Sequence, residues 1–571
     1  MEFTYKKSNN SDLFSKITGK DKLDIEDPQN YIPIYTKFFN MSDSNADKMN
    51  LNNTLSLNEI KTMTGHNSCN ADVIDNENNV VNKNIFFKFS PLLDPTKYMI
   101  GKYDCSDNSM LQLPKFGLKV GHAKINDTNN AAYVDSFFTY LSSQLLHNHT
   151  FLHSLDFYGS FLGNKNDFQV NIADELEYLN DSAFFHKNRG SLFSVDNNFA
   201  NERFNFNTRN NKDRIKLSDK LDDDQVLQLS DIADISELDS IFISSISTVD
   251  NSGANLVFSY DISCNNTRKT DDSSSCSSRS SDTENEDDED DEDDEDDEDD
   301  EDGSSSGTDY STASEDILMA SINQFPVQVI AMEKCEDTLD SLIVESEEDM
   351  KDAEWGSMII QVIMTLIAYQ QCFSFTHNDL HTNNIMYIPT EKQYLYYKWD
   401  GKHYKVPTFG RLYKIIDFGR AIYKFRGNVI CSDSYHPKGD AATQYNFEPY
   451  FNEKKPRLEP NASFDLCRLG CSLYDFIIDD IEENPKSPHT AAKRIIIEWC
   501  RDDKDRNILY KNNGDERYPD FKLYKMIART VHKHSPYDVI KQPYFSRYII
   551  GKKKINKNAK IINIDNLPDY T

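Results

Sequence analysis

The sequence predicts a two-lobed α+β architecture, and three observations carry that expectation. β-Prone segments gather in the first half and again at 325–332, helical periodicities dominate after Trp355, and a long acidic insert interrupts the β-rich part. Strands followed by helices, rather than strict alternation, is the order expected of α+β proteins. At 571 residues the chain is long enough for a sizeable core.

Residues 1–50 are polar and Asn-rich and read as an N-terminal extension. The first β-rich stretch covers 51–163. In it Ile85-Phe86-Phe87-Lys88-Phe89 is a short β-prone run with one lysine. Tyr133 to Leu146 places apolar residues at 133, 134, 137, 138, 141 and 145 on one helical face, and Leu155 to Phe161 reads as a strand. An insert then spans 164–320, with a strand-like piece at Asn255 to Tyr260. Between Asp282 and Asp302 it carries 19 acidic and no basic residues. Such a run repels itself and buries no apolar area, so the insert is expected to be largely disordered. Order resumes over 321–337, where Phe325 to Met332 is a strand, and 338–571 is expected to be helical. Helices are predicted from about Trp355, with apolar positions 359, 362, 363, 366 and 367, over Asp465 to Ile478, and over Leu523 to Val531.

The net charge is −33, of which the acidic run accounts for more than half, leaving about −14 on an otherwise ordinary composition. No basic stripe offers the counterion release that nucleic-acid binding uses, so no direct nucleic-acid partner is expected. Ten cysteines are scattered from Cys69 to Cys500 with no CxxC pair, which reads as reduced thiols in an intracellular protein. Cys467 and Cys471 share a helical face without nearby histidines and read as core filling. Met1 to Lys7 lacks the apolar stretch of a signal peptide. The longest apolar run, Met358 to Tyr369, is too short to span a bilayer, so no membrane partner is expected.

Two motifs carry chemistry. His377-Asn378-Asp379-Leu380-His381-Thr382-Asn383-Asn384 follows the first C-terminal helix and fits H-x-D-L-x-x-x-N. An aspartate there can accept a hydroxyl proton, while an amide five residues on can turn back to a Mg²⁺ ion on phosphates. Alone the pattern is weak in a chain rich in Asp and Asn. Thirty-three residues after Asn384, however, the strand Tyr413-Lys414-Ile415-Ile416 ends in Asp417-Phe418-Gly419. Phosphoryl transfer needs a carboxylate at such a place to bridge metal and phosphate oxygens.

On these motifs the chain resembles the eukaryotic-type protein kinase superfamily over about 55–163 and 321–546. The resemblance implies a bilobal kinase-like fold, with a β-rich N-lobe that carries the insert and a helical C-lobe. It implies Asp379 as catalytic base, and Asn384 and Asp417 as Mg²⁺ ligands. ATP would be held by Lys88 and Gly65 and at the hinge by Glu333 and Cys335, with Met332 as gatekeeper and Asp135 as the carboxylate paired with Lys88. Asp465 looks like the buried aspartate that anchors the catalytic loop, and Gln542-Pro543-Tyr544-Phe545 resembles a motif near the end of the C-lobe. A Tyr-rich, hairpin-like insertion between Met386 and Ile415 is similar to one in haspin-like kinases. Together with the Asn-rich composition it makes the chain look like the serine/threonine protein kinases of giant, mimivirus-like DNA viruses of amoebae.

The likeness implies an ATP- and Mg²⁺-dependent serine/threonine kinase acting on a protein substrate, basic proteins among the candidates. It would be a monomer of the host cytoplasm, with packaging into the virion as the alternative. Two rival functions remain: a catalytically weak pseudokinase scaffold, and a small-molecule kinase of the aminoglycoside-phosphotransferase type. The chain departs from the family pattern in five places, one of them His381, which stands where Ser/Thr kinases usually carry Lys and leaves the substrate open. Gly65 is the sole glycine in Met63 to Val73; Asp135 is shorter than the usual glutamate; Asn378 replaces an arginine that receives a phosphate; and no A-P-E occurs, only Leu458-Glu459-Pro460. Activity without phosphorylation of the segment after Asp417 is therefore expected. The acidic insert is either a spacer or a dock for basic partners.

Overall fold

The structure, a computed structural model, describes residues 3–104, 109–195, 318–345, 350–478, 490–512 and 514–571. The chain is a mixed α/β protein with several sheets. The largest sheet has six antiparallel strands: β1 (Ile25–Gln29), β2 (Leu55–Met63), β3 (Ser68–Asp75), β4 (Val80–Pro91), β5 (Phe157–Lys165) and β6 (Phe325–Glu333). Their spatial order is β1-β5-β6-β4-β3-β2. In β4, Ile85 and Phe87 are buried on one face, and Lys88 falls on the other, in register with Ile330 of β6. β6 is buried on both faces from Phe325 to Met332, which is why its residues form a continuous apolar run.

Helix α1 (Ala131–His149) packs on this sheet and is buried from Ala132 to Leu145. Asn130 caps it, its side-chain oxygen accepting from Ala132 N at 3.0 Å, and Thr150 ends it in the left-handed region at φ 57°.

Residues 3–51, expected as a polar extension, are instead folded onto the sheet and α1. Phe3, Ile17, Leu23, Ile32 and Ile34 are buried, β1 pairs with β5, and Phe38 stacks on Phe137 of α1 at 4.8 Å. The asparagines that give the segment its polar look tie its turns together: Asn10 Nδ2 donates to Asn30 Oδ1 at 2.8 Å and to Asn50 Oδ1 at 2.6 Å. Apolar residues that sit singly in short turns leave no periodicity to read.

The insert also differs from expectation at its ends. β5 runs past the boundary placed at 163, and a three-stranded sheet joins Phe168–Asn171, Met319–Ile322 and Phe193–Val195. Phe168, Ile172, Leu179, Phe185 and Phe193 are buried there. The acidic run 282–302 and the segment 255–260 lie outside the described residues.

In the C-terminal part, α2 (Asp352–Phe373) has 22 residues and is long and apolar enough to cross a membrane, beyond what its apolar core run implied, yet 89% of its most apolar window is buried inside the fold. β7 (Ile385–Pro389) pairs with β10 (Arg411–Ile415). Between them β8 (Tyr394–Trp399) and β9 (Lys402–Pro407) form the Tyr-rich hairpin, extended by Ile549–Ile550 and Ile561–Asn563 into a four-stranded sheet. Helices α3 (Phe464–Tyr474), α4 (Ala491–Trp499) and α5 (Phe521–Thr530) follow.

Candidate active site

α2 ends at Ser374, whose φ of 47° turns the chain, and Thr376 then bridges to Ile422 through two backbone hydrogen bonds of 2.9 Å. Asp465, in the first turn of α3, is fully buried and accepts from the amides of His377 and Asn378, both at 2.9 Å. Burial pushes its carboxyl up, against the pull of His377 and the two amides. Buried amides without such an acceptor would be costly, so Asp465 fixes the loop's backbone.

Asn378 is buried at φ 66°. Its Nδ2 donates to the carbonyls of Thr376 and Arg420, at 3.2 and 3.1 Å, and its Oδ1 accepts from Tyr445 Oη at 2.7 Å. Asn378 thus ties the loop directly to the segment after Asp417.

Asp379 Oδ1 accepts from Tyr524 Oη of α5 at 2.8 Å, and Arg420 Nη1 lies 3.7 Å from Oδ2. Burial alone would raise this carboxyl. The Arg420 charge, with His381, Arg468 and the Tyr524 hydroxyl, outweighs it and holds the group at about 2. Arg420 is itself pinned by Asp440 at 2.6 Å. His381 is pushed down to about 4 by burial, against the pull of Asp379, so its ring is neutral near pH 7. Its Nε2 accepts from Asn384 Nδ2 at 3.0 Å, and the same Nδ2 donates to the carbonyl of Asp379 at 2.9 Å. With both Nδ2 bonds made inside the loop, Asn384 Oδ1 is the side-chain atom left for a cation.

The D-F-G segment meets this loop through its backbone. Ile416 N donates to Asn384 O at 3.0 Å, and His377 Nε2 donates to Ile416 O at 2.9 Å. Asp417 sits at φ 61°, a conformation uncommon for a residue with a Cβ and frequent at functional sites. Lys88 Nζ lies 2.9 Å from Asp417 Oδ1 and 2.7 Å from Asp135 Oδ2. Burial raises the Asp135 carboxyl, against the pull of Lys88, whereas Lys88 overcomes burial and lowers Asp417. Asp135 Oδ1 also accepts from Phe418 N at 2.9 Å, and the Phe418 ring packs 4.7 Å from Phe138 of α1 and 5.8 Å from His377.

The structure therefore brings Lys88, Asp135 and Asp417 into direct contact and links Asp379, Asn384 and Asp417 through adjacent backbone. Lys88 is a cation of the kind that suits phosphate, and Asp417 and Asn384 carry oxygen donors of the kind that suit Mg²⁺, residue types that fit a metal–nucleotide complex.

The remaining expected residues are placed differently. Gly65 lies in the turn between β2 and β3, where the amides of Thr64 and Gly65 both donate to Ser68 O, at 2.8 and 3.2 Å. Those amides are committed within the turn. The Glu333 carboxylate is tied to Lys414 Nζ and accepts from Asp156 N at 2.9 Å, and Cys335 is buried with its thiol pushed up to about 12. Arg420, Asp440, Tyr445 and Tyr524 were not legible as site residues; only Arg420, next after D-F-G, had a signal in its position.

No protein-family model matches the chain. Over 101 residues, 17% of its length, it is 32% identical to a probable serine/threonine-protein kinase of Dictyostelium discoideum. Over 65 residues, 11% of its length, it is 29% identical to an uncharacterized protein of Caenorhabditis elegans. The chain covers 8% of the first relative and 22% of the second. Over part of its length, then, the chain is similar to a probable kinase.

Proposed function

We propose that this protein is an ATP-dependent serine/threonine protein kinase with a bilobal kinase-like fold. The observation that carries the reading is Lys88 bridging Asp135 and Asp417, at 2.7 and 2.9 Å, beside a loop that presents Asp379 and Asn384. Lys88 would grip the α/β-phosphates, and Asn384 Oδ1 and the Asp417 carboxylate would hold Mg²⁺, which would supply charge neutralisation on the phosphates. Asp379, ionised at neutral pH, accepts the proton of the acceptor hydroxyl. That oxygen forms its bond to the γ-phosphorus as the bond to the β-phosphate oxygen breaks, and ADP leaves.

The substrate is proposed to be a protein, basic proteins first, and the enzyme to act as a monomer. The partial likeness to a probable serine/threonine-protein kinase supports the reaction class. A non-catalytic scaffold is favoured only by the turn after β2, where the amides of Thr64 and Gly65 are committed to Ser68 O.

The test is incubation with labelled ATP, Mg²⁺ and basic proteins, comparing the wild type with Asp379→Asn. Transfer by the wild type that falls by at least about a hundredfold in the variant supports the kinase. Equal labelling by both refutes Asp379 as base, and no labelling by either, with a nucleotide still bound, supports the scaffold.

A further inference from the structure

Sixteen residues beyond Asp417, Asp433 makes a set of contacts that phosphoryl transfer itself does not use. It is 7% exposed, and its carboxylate faces another part of the chain rather than solvent. Oδ1 accepts from the backbone amide of Ala131, the first residue of α1, at 3.0 Å. Oδ2 accepts from Lys124 Nζ at 2.5 Å. Its own amide donates to Asn129 O at 2.7 Å, and Asn129 Oδ1 in turn accepts from Lys37 Nζ at 2.6 Å. Both carboxylate oxygens and the amide of Asp433 are therefore engaged by the stretch that leads into α1.

The geometry has a mechanical consequence. The leading amides of a helix lack internal partners and carry its positive pole, so a carboxylate there is both a cap and an electrostatic anchor. Asp135 stands four residues after Ala131, one turn along the same helix. A grip on Ala131 fixes the height and rotation at which Asp135 meets Lys88 and the Phe418 amide.

We propose that Asp433 is a positioning residue: by holding the N-terminus of α1 it sets Asp135, and through Asp135 the phosphate-gripping Lys88. A carboxyl side chain built into the segment after Asp417 thereby couples that segment to the nucleotide site. This inference rests on the kinase reading for its effect on turnover, but the clamp itself is measurable without turnover.

Asp433→Ala, Asp433→Asn and Lys124→Met are compared with the wild type in three measurements. These are kcat and KM for ATP with a basic protein substrate, amide hydrogen exchange over 131–135, and thermal stability. Asp433→Ala is expected to raise KM for ATP and lower kcat, each by about tenfold, and to speed exchange at 131–135 by a similar factor, as loss of a helix cap does. Its Tm stays within a few degrees, so a general loss of structure does not account for the effect. Asp433→Asn keeps the volume and an acceptor for Ala131 N but lacks the charge facing Lys124, so it recovers the part of the loss that the hydrogen bond carries, and Lys124→Met, which leaves the volume at 433 untouched, separates the contacts from space filling. Should Asp433→Ala fail to fold, Lys124→Met, which leaves the contact with Ala131, shows the same changes in smaller degree. Kinetic constants and exchange within twofold of the wild type in both Asp433→Ala and Lys124→Met overturn the proposal. A wild type without transfer activity defeats the kinase reading alone, and exchange at 131–135 then decides the clamp.

Discussion

Tyr524 and Asp379 are 145 residues apart in sequence, yet the tyrosine hydroxyl donates to Asp379 Oδ1 at 2.8 Å. A neutral hydroxyl on one carboxylate oxygen and the Arg420 guanidinium near the other orient the group, and both favour its ionised form. Tyr524 is 2% exposed and is held by packing on Phe464 and Phe521. Tyr524→Phe keeps that packing and removes one charge-assisted hydrogen bond of about 1.5–3 kcal/mol, so kcat is expected to fall by about 10- to 100-fold with little change in Tm. Removing a group that lowers the Asp379 pKa moves the acid limb of the kcat/KM profile to higher pH. A depressed carboxyl stabilises the folded state above its unfolded pKa near 4 and loses that contribution as pH falls toward about 2, so acid unfolding of the variant begins at higher pH. Kinetics and urea titration across pH 3–8 measure both effects.

Lys88 lies between two carboxylates, one of them 2% exposed. On the proposed function, Lys88→Met is expected to abolish phosphoryl transfer, and it leaves Asp135 and Asp417 facing each other without the Lys88 cation. Both carboxyls then titrate higher in the folded protein than unfolded, so the native state takes up a proton. Stability of the variant relative to wild type is therefore lost as pH rises through those raised values and regained on acidification. The Tm deficit is expected to be larger at pH 8 than at pH 5, which differential scanning fluorimetry at the two pH values checks.

Asp465 accepts from the amides of two adjacent buried residues, His377 and Asn378. Asp465→Ala is expected to cost about 2–4 kcal/mol in denaturant unfolding and to disable Asp379 by freeing the backbone on either side of His377. Asp465→Asn, which retains one acceptor oxygen, is expected to cost roughly half as much. Equal stability of the wild type and Asp465→Ala would remove the anchoring role.

How far the site is legible in the sequence depends on where the information sits. Asp379, Asn384 and Asp417 stand in short windows at fixed spacing, and the spacing itself reflects a loop that must fold back on one centre. Asp135 stands out as the single carboxylate inside an apolar helical run, and in the structure it lies 2.7 Å from Lys88. Tyr524 and Asp433 make their contacts with distant parts of the chain, and nothing local distinguishes them from an ordinary helix or turn residue, while Arg420 is marked only by its place next after D-F-G. The N-terminal 50 residues mislead for another reason. Their burial comes from isolated aromatic and branched residues in turns, while the intervening asparagines, read as solvent-exposed, hydrogen-bond one another.

That N-terminal segment leads to the last expectation. Phe3 is 4% exposed and lies within 6 Å, ring to ring, of Phe38, Phe39, Phe137, Tyr140 and Phe425. Phe137 and Tyr140 belong to α1, two and five residues past Asp135, and Phe425 lies eight residues beyond Asp417. The ring therefore wedges the helix against the segment that comes after Asp417. Phe3→Ala is expected to cost about 3–5 kcal/mol, the range for emptying a buried aromatic site. Because the cavity opens beside α1, its effect is not confined to stability. At a temperature well below the variant's Tm, KM for ATP should still exceed the wild-type value, since Asp135 is held less firmly against Lys88. Phe3→Leu, which refills most of the volume, should recover most of both losses. A KM unchanged in Phe3→Ala, measured where the variant is fully folded by circular dichroism, would confine the segment to a stabilising role.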